Sequence, residues 1–435
     1  MKGSQSAPHG LWPLRRCSVG QLLGGVSASA RAGRPLAWHD TQPMNAEASA
    51  LGLPPLAVVI SYRLGGADGV STEATKWVTA LRSLGWVVRT VAGDGAADHL
   101  LAGLAGGAAL NGRPAPPLDE EELGCALDGA DLVVVENLCS LPLNPSAGEA
   151  VARALKGRRA ILRHHDLAWQ RARFASSPPP PDDPAWLHVA VTDQARSDLA
   201  RRGLKAVTMR NRFDPHPPEG DRQATRRALR VADCELLVVQ PTRAIRRKGI
   251  GRALALAEGL GATYWLVGET EEGYDEELEA MLAASRARCL RGRPAALVTS
   301  TAGIEHAYAA ADLVVFPSSQ EGFGNPPVEA SLHMRPVAVG PYAPEAEMRA
   351  LGFRWLDAYR LEEVRDWLRA PVSADLAHNA RTARRWLDIA ELPGRLAELL
   401  STMGLPCPAA MRARPLPAAE GGSAHAGDEL SRPGR

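Results

Sequence analysis

The sequence predicts an α/β protein of two domains, each with a parallel sheet that carries helices on both faces. Short apolar runs alternate with helical patterns along most of the chain, which is typical of buried parallel strands joined by crossover helices. The alternation starts a second time after a polar, proline-rich stretch at 211–219. A length of 435 residues also exceeds what one ordinary core organises.

The individual elements follow from the positions of these apolar runs. The first series of strands is predicted at 56–61, 87–91, 131–136, 159–163, 187–191 and 206–209. The second series is predicted at 236–240, 263–267, 295–298, 313–316 and 337–340. A helix is predicted over 71–84, because Ala74, Trp77, Leu81 and Leu84 share one face. Ligands bind outside the carboxyl ends of the strands in open α/β sheets, so a cleft between the domains is the expected site.

These elements assign residues 55–212 to a first domain and 213–400 to a second. Residues 1–54 are expected to be a disordered extension, or the result of a start codon placed too early, with Met44 as the true start. A targeting segment is the alternative, since 21–30 is a short, partly apolar stretch in a region that lacks acidic residues. Residues 401–435 are rich in Pro, Ala, Gly and Arg and are predicted to form a disordered tail.

Composition limits the classes of partner. A net charge of +1 and an aromatic content of 5% argue against nucleic acid as a partner. The six cysteines are scattered singly without a CxxC pair, so no metal site is predicted. No apolar run is long enough to span a bilayer, and Lys76 and Arg82 are the basic residues of the helix at 71–84. We therefore expect a cytoplasmic protein whose membrane contact is at most peripheral.

The segment EGFGNPPVE, from Glu321 to Glu329, is the most informative part of the sequence. It follows the apolar run at 313–317 and indicates a strand, a tight loop and a helix, with one acid in the loop and one in the first helical turn. Such acids can hold a sugar and a ribose diol. Two solvated carboxylates near a helix start are the alternative, because the helix dipole favours them there.

Between these acids, the residue types favour a helix start that an anion could approach. Asn325 suits an N-cap and Pro326 suits the first helical position. A helix N-terminus is a ready anion site. Gly322 and Gly324 remove side chains where a ligand would need to approach the backbone.

Two cations follow the predicted strand at 236–240. Arg243 and Lys248 lie in the loop after it, where a guanidinium fork and a point charge could together neutralise a diphosphate. A basic surface loop is the alternative. Arg246 and Arg247 are expected to face solvent or the protein surface.

The first domain offers further candidates after two of its strands. Gly65 and Gly66 lie in the first strand-to-helix turn, where their backbone could approach a phosphate or an acceptor, although a plain turn is an equal alternative. His164, His165 and Asp166 follow the predicted strand at 159–163. Adjacent residues of an extended backbone point opposite ways, so one histidine is expected in the cleft. A structural histidine is the alternative for each.

Together these residues resemble the family 4 retaining glycosyltransferases of the GT-B fold, the glycosyl transferases group 1. The resemblance covers about residues 56–400. Its specific part is Arg243 with Lys248, then the Ala-Ala-Asp segment at 310–312 before the strand at 313–317, then the Glu-x7-Glu element. The N-terminal half of the chain matches the family in layout, with a glycine-rich first turn and a His-Asp pair further on. The resemblance implies two Rossmann-like domains that face a central cleft.

The resemblance also implies a role for each candidate residue. Arg243 and Lys248 would hold the donor diphosphate. Glu321 would contact the donor sugar, and Glu329 the ribose hydroxyls. The remaining donor-binding candidates are the backbone amides of Phe323, Gly324 and Asn325, and one of His164 and His165, with His164 preferred. A terminal helix around 380–400 would cross back toward the first domain.

The implied reaction is the retaining transfer of a hexose from a nucleoside-diphosphate sugar to an unidentified hydroxyl acceptor. That acceptor would be a small molecule, a glycan or a lipid-linked group. Arg243 and Lys248 would supply the positive charge, so neither a metal nor another cofactor is expected, and the nucleotide sugar is a substrate. The alternatives are another GT-B enzyme, such as a nucleotide-sugar epimerase, and a non-catalytic nucleotide-sugar-binding scaffold.

Overall fold

The computed structural model describes residues 53–66, 68–106, 114–294 and 303–408. Within these ranges the chain forms two parallel sheets with helices between the strands, which confirms the predicted α/β class. The predicted strand at 295–298 lies outside the described residues, as do nearly all of the extension at 1–54 and most of the tail at 401–435.

The strands and helices alternate through both halves. The strands are β1 (Leu56–Ser61), β2 (Val87–Ala92), β3 (His99–Leu100), β4 (Leu132–Glu136), β5 (Ala160–His164), β6 (Trp186–Ala190), β7 (Ala206–Thr208), β8 (Leu237–Gln240), β9 (Thr263–Leu266), β10 (Cys289–Arg291), β11 (Leu313–Phe316), β12 (Val337–Val339) and β13 (Leu356–Asp357). The helices are α1 (Gly69–Ser83), α2 (Glu120–Leu127), α3 (Pro145–Leu155), α4 (Asp193–Ala200), α5 (Arg222–Leu229), α6 (Ile250–Leu260), α7 (Asp275–Ala284), α8 (Ile304–Ala310), α9 (Asn325–Leu332), α10 (Glu345–Leu351), α11 (Leu361–Arg369), α12 (Ser373–Leu387) and α13 (Leu392–Thr402).

The first sheet has the strand order β3-β2-β1-β4-β5-β6-β7. Its central strand β1 is buried on both faces. Val59 belongs to the core that contains Trp77 of α1 and Leu396 of α13, whereas Val58 belongs to the core that contains Leu123 of α2. A strand between two helical layers needs apolar residues at every position, which explains the uninterrupted apolar run at 56–60.

The second sheet has the order β10-β9-β8-β11-β12-β13. Val238 faces the core of α6, with Ala253, and Val239 faces the opposite core, with Tyr308 of α8. Each sheet reverses its strand order at its first strand, between β1 and β4 and between β8 and β11. Open α/β sheets form their binding crevice at such a reversal.

Helix α1 begins two residues before its predicted start, because Asp68 caps it. The Asp68 carboxylate accepts hydrogen bonds from the amides of Val70 and Ser71. The predicted face is buried, with Trp77 at 1% exposure. The turn after the helix contains Gly85 with a φ of +88°, a left-handed conformation that suits glycine.

The predicted terminal helix is two helices. A short 3₁₀ turn at Ile389–Glu391 separates α12 from α13, and the Asp388 side chain accepts a hydrogen bond from the Ala390 amide within it. Helix α13 packs against α1, a helix that covers the first sheet, through the apolar side chains of Leu396 and Leu400. No helix of the described ranges is both long and apolar enough to cross a membrane.

Candidate active site

The loops at the carboxyl ends of the two sheets are in direct contact. The loop after β11 carries Gly322, and the loop after β5 carries His165. A Cβ atom built at Gly322 would lie 1.7 Å from the His165 carbonyl oxygen, far inside any allowed contact. The lack of a side chain at 322 is therefore what lets the two loops meet.

Glu321 lies at the centre of an ion cluster. Its Oε1 atom is 2.6 Å from Nζ of Lys248, and its Oε2 atom is 3.1 Å from a terminal nitrogen of Arg247. Both cations come from the 3₁₀ turn Arg246–Lys248 after β8, which Gly249 closes with a φ of +66°. The structure thus joins two of the predicted residues, Lys248 and Glu321, across 73 positions of sequence.

Burial and ion pairing act against each other in this cluster. Burial lowers the pKa of Lys248 to about 8, although Glu321 opposes the shift. Burial would raise the pKa of Glu321, but the charges of Lys248 and Arg247 outweigh it and lower that pKa. The pKa of Arg247 is raised, because Glu321 and Asp166 overcome the effect of its burial. Each charge is therefore stabilised by its partners.

Arg243 belongs to a second ion cluster, which joins loops of both sheets. Its NH1 atom is 2.5 Å from Oε2 of Glu271, in the loop after β9. The same oxygen is 3.7 Å from Arg63, in the turn after β1, and Arg63 is 3.3 Å from Asp68. Glu271 therefore connects the Arg243 loop to the first turn of the first domain.

Gly65 and Gly66 lie in that first turn, and packing within the first domain accounts for both. Gly65 has a φ of +71°, and a Cβ atom there would lie 2.7 Å from Cβ of Ala96. A Cβ atom at Gly66 would lie 2.9 Å from Oδ2 of Asp68. The turn also approaches α9, since a Cβ atom at Gly69 would lie 3.8 Å from Nδ2 of Asn325.

Helix α9 begins one residue earlier than an Asn325 N-cap would require. Its N-cap is Gly324, with a φ of +93°, and Asn325 is the first helical residue. The Asn325 side chain does not cap the helix, because its Oδ1 atom accepts a hydrogen bond of 2.9 Å from Nδ2 of Asn211. Phe323 is 4% exposed and stacks on Phe213, with 6.1 Å between ring centroids. The N-cap prediction for Asn325 is therefore wrong by one position.

Glu329 lies on α9 and has a different partner from Glu321. The hydroxyl of Tyr308 donates a hydrogen bond of 2.6 Å to its Oε2 atom. Burial raises the pKa of Glu329, Tyr308 and Lys76 oppose this, and Glu73 reinforces it. Lys76 and Glu73 belong to α1, so the Glu329 carboxylate faces charged groups of the first domain.

The side chains of His164 and His165 point in opposite directions, as adjacent residues of an extended backbone do. His164, the last residue of β5, is 1% exposed, and its Nε2 atom lies 2.8 Å from Nδ1 of His188. Nε2 of His188 is 3.1 Å from an Asp182 oxygen. Burial and then the neighbouring His188 place the pKa of His164 well below its usual value. The structure therefore does not bring His164 to the Glu321 cluster.

His165 belongs to the opposite side of β5. Its Nε2 atom is 2.6 Å from one oxygen of Glu136, whose other oxygen is 2.7 Å from Arg163. Its backbone carbonyl is the atom that meets Gly322. This placement favours His165 over the preferred His164 as the histidine of the cleft.

Arg247 is the clearest residue that sequence reasoning missed. The prediction that Arg246 and Arg247 face away from the site is wrong for Arg247, whose side chain is 18% exposed and pairs with Glu321. Arg246 is 67% exposed and pairs with Glu277 instead. A 3₁₀ turn has three residues per turn, so Arg246, Arg247 and Lys248 point in three directions. The turn is known only from the structure, so the sequence alone gave no signal that selects Arg247 from the three.

A small pocket lies beside Glu321, between the two domains. Its lining residues are Asp166, Gln170, Arg171, Arg247, Ser319, Gln320, Glu321 and Ala343. Asp166 is 3.2 Å from Arg171, and the charges of Arg171 and Arg247 lower the Asp166 pKa against the effect of burial. Among the residues that the structure describes, no group of three or more His, Cys, Asp or Glu side chains is arranged to hold a metal ion.

Two curated proteins are similar to this chain in sequence, although no protein-family model matches it. Mannosylglucosylglycerate synthase of Thermotoga maritima is 28% identical over 344 residues, which cover 65% of this chain and 80% of that protein. The synthase of the same name from Petrotoga mobilis is 25% identical over 370 residues, which cover 68% and 84%. The similarity thus extends over most of both proteins.

A solved structure shares the three-dimensional fold of this chain. The crystal structure of Anabaena Alr3699/HepE in complex with UDP-glucose aligns with a TM-score of 0.60 at 17% identity, over 80% of this chain and 99% of that chain. At this identity the likeness shows the fold. The chain therefore has the GT-B fold of two facing Rossmann-like domains, and its curated relatives support glycosyltransferase activity.

Proposed function

We propose that this protein transfers a hexose from a nucleoside-diphosphate sugar to a hydroxyl acceptor, with retention of configuration at the transferred carbon. The observation that carries the proposal is the contact of Lys248 with Glu321 at the carboxyl end of the second sheet. A buried ammonium beside a carboxylate supplies one group for a departing phosphate and one for a sugar hydroxyl. The named activity of the two curated relatives supports this assignment.

The departing diphosphate needs positive charge, which Lys248 and Arg243 can supply. Both already face carboxylates, Lys248 that of Glu321 and Arg243 that of Glu271. In the proposed mechanism the diphosphate accepts hydrogen bonds from the Arg243 fork and from the Lys248 ammonium. Cations fixed before the reaction stabilise charge that develops as the bond to the sugar breaks.

The acids hold the donor rather than transfer protons. Glu321 accepts hydrogen bonds from hydroxyls of the donor sugar, and Glu329 accepts them from the ribose. The acceptor oxygen attacks the face of the sugar from which the diphosphate leaves, and a phosphate oxygen takes the acceptor proton. The protein contributes positioning and charge stabilisation.

The donor and acceptor are drawn from the relatives. The synthases are named for mannosylglucosylglycerate, and the structural neighbour holds UDP-glucose. We therefore propose a nucleoside-diphosphate hexose, such as a UDP-hexose, as donor and a small hydroxylated acceptor. Incubation with a panel of UDP-, GDP- and ADP-sugars, followed by product analysis and thermal melting, tests both. No transfer, no slow donor hydrolysis and no stabilisation by any donor would reject the proposed function.

A substitution of Lys248 tests the role assigned to it. In Lys248→Ala, Glu321 keeps Arg247 at 3.1 Å, so the fold and the melting temperature should be nearly unchanged. Loss of one charge-stabilising group should lower kcat by about 10²–10³. Arg246→Ala removes an exposed cation of the same turn and should retain wild-type activity. Wild-type turnover in Lys248→Ala would refute the role.

Activity is expected to survive EDTA. The reason is that Arg243 and Lys248 provide the charge that a divalent ion supplies in other phosphate sites. The measurement is the rate of transfer before and after dialysis against the chelator. A complete loss that only a divalent ion restores would show that the two cations do not suffice.

A further inference from the structure

We infer that Tyr308 is a positioning residue for the donor nucleotide, whose ribose it selects through Glu329. Its hydroxyl fixes the Glu329 carboxylate in the orientation that accepts hydrogen bonds from the two ribose hydroxyls. The inference rests on the proposed function, in which Glu329 holds the ribose. It adds a residue that touches neither donor nor acceptor, and it makes the site selective for a ribonucleotide.

Tyr308 is itself held in one orientation. It lies on α8, is fully buried, and belongs to the core that also contains Val239 of β8 and Phe316 of β11. Its ring stacks on that of His333, with 4.8 Å between ring centroids and 22° between the planes. Protein cores pack as densely as organic crystals, so the ring has no room for a second rotamer. The position of the hydroxyl is therefore set by the core of the second domain.

The hydroxyl of Tyr308 keeps its proton and donates it to Glu329. Burial, and then the charge of Glu329, raise the pKa of Tyr308 well above its ordinary value. The phenol oxygen lies 2.6 Å from Oε2 of Glu329, the distance of a charge-assisted hydrogen bond between oxygens. Such bonds are about twice as strong as neutral ones. The contact therefore fixes the orientation of the Glu329 carboxylate.

The rest of that carboxylate is available to a ligand. Glu329 is partly exposed, and its Oε1 atom accepts no hydrogen bond from the residues that the structure describes. Lys76, the cation that acts on Glu329 from α1, donates instead to Glu73 and to the carbonyl oxygen of Arg212. An ionised carboxylate has about four acceptor sites, so the bond from Tyr308 leaves the others for hydroxyl groups.

The surroundings of Glu329 favour neutral donors over charged ligands. Glu321 pairs with two cations, Lys248 and Arg247, whereas the direct partner of Glu329 in the described part of the chain is a neutral hydroxyl. A carboxylate without a cation in contact repels phosphate and accepts hydrogen bonds from hydroxyl groups. The two adjacent hydroxyls of a ribose supply such donors.

A buried hydroxyl also needs an acceptor for reasons of stability alone. Tyr264, for example, is fully buried and donates a hydrogen bond of 2.7 Å to Oε1 of Gln240. Loss of such a bond destabilises a core, but it does not distinguish one ligand from another. Ligands that differ only in the ribose therefore separate the two roles that Tyr308 could have.

The experiment compares UDP with 2′,3′-dideoxy-UDP, which lacks only the two ribose hydroxyls. The Kd of each for the full chain is measured by titration calorimetry, and the corresponding GDP and ADP pairs are measured in the same way. For the nucleotide that binds most tightly, we expect the ribose form to bind about 10- to 100-fold more tightly than the dideoxy form, the value of hydrogen bonds to a charged group.

Substitutions then assign this ribose preference to Tyr308 and Glu329. Tyr308→Phe removes the hydroxyl and keeps the stacked ring, and it should reduce the preference about 3- to 10-fold, because Glu329 loses the bond that orients it. The change should lie in the Kd of the ribose form, since the dideoxy form has no hydroxyl to offer Glu329. Glu329→Ala should reduce the preference to within about twofold, because the acceptor itself is removed.

Tyr274→Phe is the matched control. Tyr274 is 3% exposed, and its hydroxyl lies 3.8 Å from the sulfur of Met281, outside the proposed donor site. This variant also loses one phenol hydroxyl of the second domain, and it should keep the wild-type ribose preference. Thermal melting verifies that each variant is folded.

The inference is overturned by a wild-type protein that binds both forms equally, by an unchanged preference in Tyr308→Phe, by equal weakening of both forms in that variant, or by a preference that survives Glu329→Ala. The proposed function fails in a different way. If none of the three nucleoside diphosphates binds the wild-type protein and no donor is hydrolysed or transferred, both assignments are rejected. Nucleotide binding with a ribose preference that Tyr308→Phe leaves unchanged rejects the role of Tyr308 alone.

Discussion

At the scale of the residue, Lys248 shows how position alters chemistry. An exposed lysine keeps its proton well above pH 8, whereas Lys248 has a pKa of about 8 because it is 9% exposed at a contact between two domains. The Glu321 carboxylate limits this lowering of the Lys248 pKa without removing it. The charge proposed to hold the diphosphate is thus present at neutral pH and is lost not far above it.

The pH dependence of kcat/KM should report this shift. Since the charged form binds the diphosphate and its pKa in the free enzyme is about 8, kcat/KM should fall about tenfold per pH unit above that value. In Lys248→Arg the guanidinium stays charged, so the decrease near pH 8 should disappear. The same decrease in both proteins would assign it to another group.

At the level of residues, side-chain chemistry selected the candidates from the sequence, whereas backbone direction decided where each candidate lies in the structure. Lys248 and Glu321 were each selected as site residues, and the structure places them in contact; their roles toward a donor stay predictions. Arg247 pairs with Glu321, against expectation, and His164 lies beside His188 rather than in the Glu321 cluster. A sequence does not show which way a side chain leaves a 3₁₀ turn or the end of a strand. Those directions depend on turn geometry and on strand pairing.

At the scale of the element, burial on both faces made the central strands easy to predict. β1 and β11 match their predicted ranges, since each is apolar throughout. The short edge strands β3, β10 and β13 were missed, because two or three residues carry no periodic pattern. The break between α12 and α13 was missed too, since an apolar pattern continues across it.

The packing of α13 on α1 gives a prediction at this scale. Leu396 lies on α13 and is fully buried against the core of the first domain. Leu396→Ala should therefore lower the free energy of unfolding by about 2–5 kcal/mol. Glu398→Ala changes an exposed residue of the same helix and should have little effect. Denaturant unfolding measures both, and equal stabilities would show that α13 does not anchor to the first domain.

At the scale of the whole molecule, Glu271 links the two halves through Arg63 and Arg243. A nucleotide diphosphate bound in the proposed way would compete with Glu271 for the Arg243 guanidinium. The contact that joins the domains is thus in competition with the donor. Donor binding and the relative position of the two sheets are therefore expected to be coupled.

Removal of the Glu271 charge should strengthen nucleotide binding. In Glu271→Gln the diphosphate no longer competes for Arg243, so the Kd of UDP or GDP at low salt should fall by up to about fivefold, the value of a partly exposed ion pair. Glu277→Gln, which removes the partner of exposed Arg246, is the matched control. An increase in Kd for Glu271→Gln would mean that Glu271 assists the donor.

The contact of Gly322 with the His165 carbonyl has a consequence for anyone who redesigns this protein. Every other amino acid places a carbon atom where an oxygen already lies, at 1.7 Å, so no rotamer choice relieves the overlap. Variation belongs instead at Arg171, Arg247 and Gln320, which border the adjacent pocket. Position 322 accepts only glycine, and a mutant library should leave its codon unchanged.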